Sequence, residues 1–230
     1  MTGTLTELVV AVAALIVSHF AISSTGLRAQ LIAKLGEKAY LGLYSLLSLV
    51  LFVWIIYAYR HAPTFPLWDA TQTHHWIAVV LMAPASILYV VGLASPNPTA
   101  VGADQKLLAS GAVGIFRITR HPFLWGTALW AIAHIVSNGE GSALVLFGGM
   151  AALALIGTRM IDAKKTVALG AAWESFAART SNLPFAAIAA GRNHLAVGEI
   201  GAGRLLGGVG LYIVLLIVHP YIFGVSPLPF

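Results

Sequence analysis

The chain has 230 residues, of which 59% are hydrophobic and only 9% are charged. A soluble domain carries about 25% charged residues because its surface faces water. The composition therefore excludes a soluble enzyme, a disordered chain and a coiled coil, and predicts one all-α polytopic transmembrane domain over residues 1–230. The absence of cysteine excludes disulfides, thiolate catalysis and iron–sulfur ligation.

Six apolar segments are candidates to cross a bilayer core about 30 Å thick as helices. Their unbroken apolar runs lack the alternation that is typical of a transmembrane β-barrel. A helical bundle of about six spans is therefore expected. The predicted spans are Leu5–Ser23, Tyr40–Tyr59, Trp76–Leu93, Phe123–Val136, Ser142–Met160 and Leu205–Val218.

The segment between the fifth and sixth spans mixes aromatic and polar residues. It contains Trp173, Phe176, Leu183 and Phe185 among charged and hydroxyl side chains. This pattern predicts an amphipathic helix at the membrane interface, followed by a turn at Pro184.

The basic residues indicate how the spans are oriented. The loops after the first, third and fifth spans contain 12 of the 13 lysines and arginines, and only Arg60 lies on the other side. The positive-inside rule places these loops in the cytoplasm and both termini in the periplasm, for a protein of the inner (cytoplasmic) membrane. The formal charge of +5 then reflects topology and attraction to anionic membrane lipid, so nucleic acid is not an expected partner.

Histidine is the residue type that carries most of the chemistry, since the chain has eight histidines and only eight carboxylates. Six of them lie in loops or near the ends of predicted spans. Five of these six are expected at the interface or in solvent, namely His61, His74, His75, His194 and His219.

His19 and His134 differ because each lies inside an apolar run. A neutral imidazole in hydrocarbon needs a partner, which a helix carbonyl or a metal would supply. Two neutral imidazoles from different helices are suitable axial ligands for a haem iron. His134 shares a helix face with Phe123, Thr127 and Trp130, which would form the aromatic edge of a macrocycle pocket or an ordinary core.

Arg120, His121 and Pro122 open the fourth span. Proline is favoured in the first helical turn, where its missing N–H costs nothing. His121 is a candidate cap of this helix, with Arg117 and Arg120 at the level of the headgroups. Capping and snorkelling explain the cluster about as well as binding of a carboxylate or phosphate does. His121 and His134 point to opposite sides and are not expected to share a site.

Five stretches in order along the chain resemble the NnrU family of integral membrane proteins. Together they extend the match over nearly the whole chain, from His19 to Pro220. The stretches are Gly36–Tyr40, Arg117–Pro122, Trp130 with Ala133 and His134, Arg179–Ile188, and His219 with Pro220.

The resemblance implies a function, because the family includes a haem-dependent isomerase of zeta-carotene. That isomerase holds haem b between two membrane histidines, which align here with His19 and His134. It implies isomerisation of a central cis double bond in a lipophilic polyene that enters from the membrane. Trp130 would lie beside the cofactor, and Arg120 and His121 would position a headgroup or form the entrance without touching iron.

Two further functions are compatible with the same residues. Other NnrU proteins are associated with denitrification, where a haem would bind a diatomic ligand of nitrite and nitric oxide metabolism or serve as an electron carrier. Arg-His-Pro with Phe123 and Gly126 also resembles membrane methyltransferases that use S-adenosylmethionine. Those enzymes have paired carboxylates after the next span, whereas here Asp162 stands alone before Lys164 and Lys165, so this alternative ranks second.

Overall fold

The computed structural model of the protein describes residues 3–24, 26–99, 108 and 111–228. All six predicted spans are helices in it, and each extends beyond its predicted bounds, so the all-α bundle is confirmed. Five of the six are long and apolar enough to cross a membrane, and the other, Pro122–Asn138, has 17 residues. The six are α1 (Leu5–Ser24), α3 (Glu37–His61), α4 (Gln72–Ala94), α5 (Pro122–Asn138), α6 (Gly141–Leu169) and α10 (Ala202–Phe223).

Shorter helices connect the spans. They are α2 (Gly26–Leu35), a 3₁₀ turn (Gly114–Arg117), α7 (Ala171–Arg179), α8 (Ala186–Ala189) and α9 (Val197–Ile200). Helix α7 is the predicted amphipathic helix, and its Trp173 and Phe176 are each only 1% exposed. The chain turns after Pro184 through a left-handed Phe185, which stays exposed together with Leu183.

Helix α5 is central in the bundle because it packs against both α4 and α6. Helix α10 packs on α4, while α1 packs on α6 and α3. Glycines permit the close approaches: a Cβ added at Gly126 would lie 3.1 Å from the carbonyl oxygen of Ala85 in α4. A Cβ added at Gly208 would lie 2.7 Å from the Cα of Ile87. Small residues at such crossings are typical of membrane helices, which gain stability by close packing.

The bundle has two chemically different ends. At one end Gly3 of the chain start lies against His61, and the N–H of Gly141 donates to the carbonyl of Phe65 at 3.0 Å. At the other end Lys164 donates to the carbonyl of Ser23. We call the end near Lys164 the basic end, because every described lysine and arginine except Arg60 lies toward it. The end near Gly3 and Gly141 is called the opposite end. Lys106 belongs to the same predicted set but lies outside the described residues.

Two apolar cores fill the bundle. The first joins α1, α3, α5 and α6 near the opposite end and includes Leu8, Ile55, Ala131 and Phe147. The second joins α4 to the connecting helices at the basic end, where Leu88 and Val91 pack with Phe116, Trp173 and Phe176. The connecting segments thus form a packed layer over the basic end.

The crossing of α10 and α4 gives a first prediction, for which the chain offers a matched control. Gly208→Leu should destabilise the protein by roughly 1–3 kcal/mol, since its side chain would meet the backbone of Ile87. Gly210→Leu, on the same helix, should be nearly neutral because an added Cβ there meets nothing within 4 Å. Thermal unfolding in detergent measures both variants. Equal midpoints would contradict this packing of α10.

Candidate functional site

The stretch Arg117–Pro122 leads from the 3₁₀ turn into α5. Pro122 occupies the first helical turn, as the sequence predicts, and His121 precedes it at the N-cap position. The predicted capping by His121 is wrong, however, since its side chain makes no capping hydrogen bond. The ring donates instead to a carboxylate of α6, because a hydrogen bond to an ionised group is stronger than one between the ring and a neutral helix N–H.

That carboxylate is Asp162, and it is the centre of a four-residue group that we call the Asp162 cluster: Arg120, His121, Asp162 and Asn182. Arg120 donates to both carboxylate oxygens, with Nη2 lying 2.6 Å from Oδ2. Nε2 of His121 donates to Oδ1 at 2.6 Å, and Nδ2 of Asn182 donates to Oδ2 at 3.3 Å. The His121 side chain is fully buried and those of Arg120 and Asp162 are 13% and 19% exposed. Arg120 is therefore a largely buried partner of a carboxylate, and its predicted level at the headgroups stays a prediction.

Further hydrogen bonds connect this cluster to the turn after α7. The N–H of Arg120 donates to the carbonyl of Ser181 at 3.0 Å, and the hydroxyl of Thr119 donates to the carbonyl of Asn182 at 2.6 Å. The indole of Trp125 donates to the side-chain oxygen of Asn182 at 3.3 Å. Two stretches that are some sixty residues apart thus meet on one carboxylate, which the sequence does not indicate.

One buried polar atom in the cluster is left over. Nδ1 of His121 has no hydrogen-bond partner within the described part of the chain. With Nε2 donating to Asp162, Nδ1 carries a lone pair, or a proton when the ring is charged.

A second ion pair lies at the surface of the basic end. Arg117 forms a two-pronged contact with Glu199 of α9, with distances of 2.7 and 2.8 Å from nitrogen to oxygen. This hydrogen bond, followed by one from the N–H of Gly114, lowers the pKa of Glu199 from 4.5 to about 2. The same contact raises the pKa of Arg117. The contact holds α9 against the 3₁₀ turn, and the predicted level of Arg117 at the headgroups stays a prediction.

Near the opposite end, His134 lies among aromatic rings. Nδ1 of His134 bonds to the carbonyl of Trp130 at 2.8 Å, and the two rings are 5.1 Å apart. The ring of Phe147 in α6 stacks on it at 4.7 Å. On another side is the ring of His219, whose centroid is 6.4 Å from that of His134. The structure therefore brings His219 to His134, although the sequence places His219 simply at the interface.

The structure does not bring His19 to His134. Nδ1 of His19 bonds to the carbonyl of Leu15 at 3.1 Å, and its ring lies 5.4 Å from that of Tyr44 in α3. No ring contact between His19 and His134 is present among the described residues.

Helix contacts locate the two histidines along the bundle axis. An added Cβ at Gly149 of α6 would touch Val12 of α1, so these two residues lie at the same level. Because the two helices run parallel, Phe147, two residues before Gly149, is level with about Val10. His134 stacks on Phe147, whereas His19 is nine residues beyond Val10, or about 13 Å along the helix. Ligation of one haem by His19 and His134 stays a prediction, and in this structure the two rings are not a bis-imidazole pair.

A half-buried stripe runs along α5 from the basic end toward His134. Phe123, Thr127, Trp130 and His134 lie along one side of this helix. Tyr89 of α4 covers part of it: its ring lies 5.2 Å from that of Phe123, and its hydroxyl donates to that of Thr127 at 3.1 Å. Thr127 in turn donates to the carbonyl of Phe123. Both hydroxyl protons are thus used internally, and the stripe presents an apolar aromatic surface.

Comparison with known proteins gives one family. A family model described as "NnrU protein" matches residues 7–227. The protein named "15-cis-zeta-carotene isomerase, chloroplastic" of Arabidopsis thaliana is 32% identical over 166 residues, which cover 70% of this chain and 45% of that relative. The protein of the same name from Zea mays is 37% identical over 92 residues, covering 40% and 25%. The matches span less than half the length of these curated relatives. No solved structure matches the chain.

The Asp162 cluster gives a stability prediction. Asp162→Ala should leave Arg120 and His121 without their acceptor, and removing one partner of a buried pair costs on the order of 3 kcal/mol. The thermal midpoint in detergent should fall by roughly 6–12 °C for a chain of this size. Glu174→Ala, which removes an exposed carboxylate of α7, is the control and should leave the midpoint nearly unchanged. A similar midpoint for both variants would contradict a structural role of the cluster.

The contact between Arg117 and Glu199 gives a pH prediction. Folding lowers the pKa of Glu199, so the ionised carboxylate stabilises the folded protein through its contact with Arg117. This stabilisation is complete above pH 4.5 and is lost as the pH falls to about 2. The difference in thermal midpoint between the native protein and Glu199→Gln should therefore be constant above about pH 5 and shrink toward pH 2. The same scan on Glu174→Gln serves as control. A difference that does not change with pH would show that the carboxylate charge is not involved.

Proposed function

Because the chain belongs to the NnrU family, we propose that it is a membrane-embedded cis–trans isomerase of a lipophilic polyene. The observation that carries the proposal is the similarity to the two plant proteins named 15-cis-zeta-carotene isomerase. Five helices that are long and apolar enough to cross a membrane support a position in the lipid phase, where a carotenoid also dissolves. We also propose that the basic end faces the cytoplasm of an inner membrane, so that both termini face the periplasm.

The stripe on α5 is the proposed contact surface for the polyene. It is about 16 Å long from Phe123 to His134, at 1.5 Å per residue, which suits a rod of conjugated carbons. Phe123 is 38% exposed on a membrane helix, so a ligand can reach it from the lipid without crossing a polar channel. The hydroxyl groups of Tyr89 and Thr127 both donate hydrogen bonds within the protein. A hydrocarbon that packs against the stripe would therefore not leave either hydroxyl proton without an acceptor.

The proposed cofactor is haem b, whose iron would supply a redox-active centre near the end of the stripe at His134. The donor chemistry supports this: Nδ1 of His134 and of His19 each bonds to the carbonyl four residues earlier. Such a bond fixes the ring and leaves Nε2 with the lone pair that binds a metal. Trp130 packs on His134 and would keep this position apolar.

Two other functions, a methyltransferase and a haem protein without isomerase activity, can be distinguished from the isomerase. The environment of Asp162 bears on the first, and conversion of a polyene bears on the second. A methyltransferase would need a free carboxylate to bind the ammonium group of S-adenosylmethionine, but Asp162 already accepts hydrogen bonds from Arg120, His121 and Asn182. This observation disfavours the methyltransferase. A haem protein of denitrification or an electron carrier would bind haem without converting a polyene.

The isomerase proposal predicts conversion of pigment. Protein in liposomes, supplied with 15-cis-zeta-carotene under reducing conditions, should shift the chromatographic profile toward the isomer with a trans central bond. Phe123→Leu should slow this conversion several-fold, because it removes an aromatic ring from the proposed contact surface. An unchanged pigment profile with the native protein would contradict the proposal.

The control for this experiment is Phe52→Leu. Phe52 lies on α3, away from the stripe, and its exposure of 40% is close to the 38% of Phe123. The two variants lose the same ring from an equally exposed membrane position. Slowing by both to the same degree would show a general effect on the bundle and would argue against the stripe as the contact surface.

A further inference from the structure

The connecting layer at the basic end contains a cavity of about 280 Å³. It has room for a phosphate group with several waters, since one water takes up about 30 Å³ of liquid volume. Three arginines from separate stretches of the chain reach it. We call this cavity the arginine pocket, and it is lined by residues 111–113, Arg117, Arg179, Arg192, Asn193 and His194.

Hydrogen bonds fix how these stretches meet. Nη1 of Arg117 donates to Oδ1 of Asn193 at 2.7 Å, and Nδ2 of Asn193 donates to the carbonyl of Arg179 at 2.9 Å. Nη1 of Arg192 donates to the carbonyls of the two residues on either side of Arg179, at 2.6 and 3.0 Å. The pocket is therefore built by the folded chain itself, before any ligand binds.

The pocket carries an excess of positive charge. Among the residues that the structure describes, the only salt bridge of a pocket arginine joins Arg117 to Glu199. Three guanidinium groups and one carboxylate leave a formal charge of +2. Like charges that line one cavity repel each other, and an anion between them would offset that repulsion.

The arginines also keep hydrogen-bond donors for such an anion. Nε and Nη2 of Arg179 lie 3.4 and 3.5 Å from oxygens of Ser175, which is long for a hydrogen bond. Nη1 of Arg179 borders the 111–113 wall, since an added Cβ at Gly111 would lie 3.6 Å from it. Arg192 bonds only through Nη1 within the described chain, which leaves Nε and Nη2. Paired guanidinium N–H groups match the oxygens of a phosphate.

Apolar side chains beside the pocket indicate the source of the phosphate. Val113, Leu195 and Val197 are 44%, 51% and 50% exposed. Their stretches are adjacent, because an added Cβ at Gly114 would lie 3.2 Å from the carbonyl oxygen of Glu199. A free phosphate would gain nothing from these neighbours, whereas the glycerol and acyl part of a lipid would pack against them. Basic groups beside apolar side chains are typical of protein surfaces that bind anionic lipid.

From these observations we infer that the arginine pocket binds the phosphate group of an anionic membrane phospholipid. Arg179 and Arg192 donate to the phosphate oxygens, and Val113 contacts the glycerol and acyl part of the lipid. The inference depends on the position of the chain in a membrane. It does not depend on the proposed isomerase activity or on the proposed cofactor, so an unchanged pigment profile would leave it intact.

The test is a titration of the full chain in detergent with phosphatidylglycerol, followed by native mass spectrometry. Phosphatidylcholine, which has a phosphate but no net charge, is the comparison lipid and should bind with a higher Kd. Arg179→Gln should raise the Kd for phosphatidylglycerol about fivefold, because it removes one cation from the site. Arg204→Gln is the matched control and should change this Kd little. Arg204 also donates to the carbonyl four residues earlier, but it lies outside the pocket.

Val113→Glu tests the pocket without removing an arginine. Its carboxylate would take the place of the lipid phosphate, so binding of phosphatidylglycerol should be lost. The thermal midpoint of this variant without lipid should not fall, because Val113 is exposed and the new charge lies beside cations. Unchanged binding by Val113→Glu would overturn the inference.

Three other results would overturn it as well. They are equal Kd values of the native protein for the two lipids, equal effects of Arg179→Gln and Arg204→Gln, and displacement of the lipid by inorganic phosphate at a concentration below the Kd of the lipid. The last result would show that the pocket serves a soluble anion.

Discussion

The structure depends on how one carboxylate, that of Asp162, is paired in a chain that has very few charges. Asp162 lies in α6, most of whose other residues are apolar, and a charge there is costly unless it is paired. Arg120, His121 and Asn182 all donate to it, and they come from the start of α5 and from the turn after α7. The cluster therefore fixes where α5 begins and holds it against α6.

The position at which α5 begins then determines which of its residues lie near the opposite end of the bundle. Once Pro122 starts the helix beside Asp162, Trp130 and His134 follow two and three turns later and meet Phe147 of α6. Helix α4 fits closely on the other side through Gly126, and α10 joins α4 through Gly208. The distance between His134 and His219 is thus set by three helix contacts and by a charge cluster at the far end of the bundle.

The sequence predicts the parts of this structure that depend on local properties. Apolar runs indicate all six long bundle helices, the distribution of basic residues separates the two ends, and Pro122 marks the start of α5. The sequence does not show that Asp162 and Asn182 meet, or that Arg117 pairs with Glu199, because contacts over such separations depend on how helices pack. It also places the end of the last span at Val218, whereas α10 continues through Pro220 to Phe223. A proline near a helix end removes only one hydrogen bond, which this helix tolerates in its final turns.

The same distinction applies to the two histidines that the resemblance pairs, His19 and His134. The resemblance pairs His19 with His134 by their positions in the sequence, which do not show how the helices that carry them pack. Helix α1 begins at the opposite end, so His19 lies most of the way to the basic end, where its ring meets that of Tyr44. Helix α10 runs the other way and places a residue from near the end of the chain, His219, level with His134. Helix packing in this bundle therefore brings the ring of His134 to that of His219 and not to that of His19.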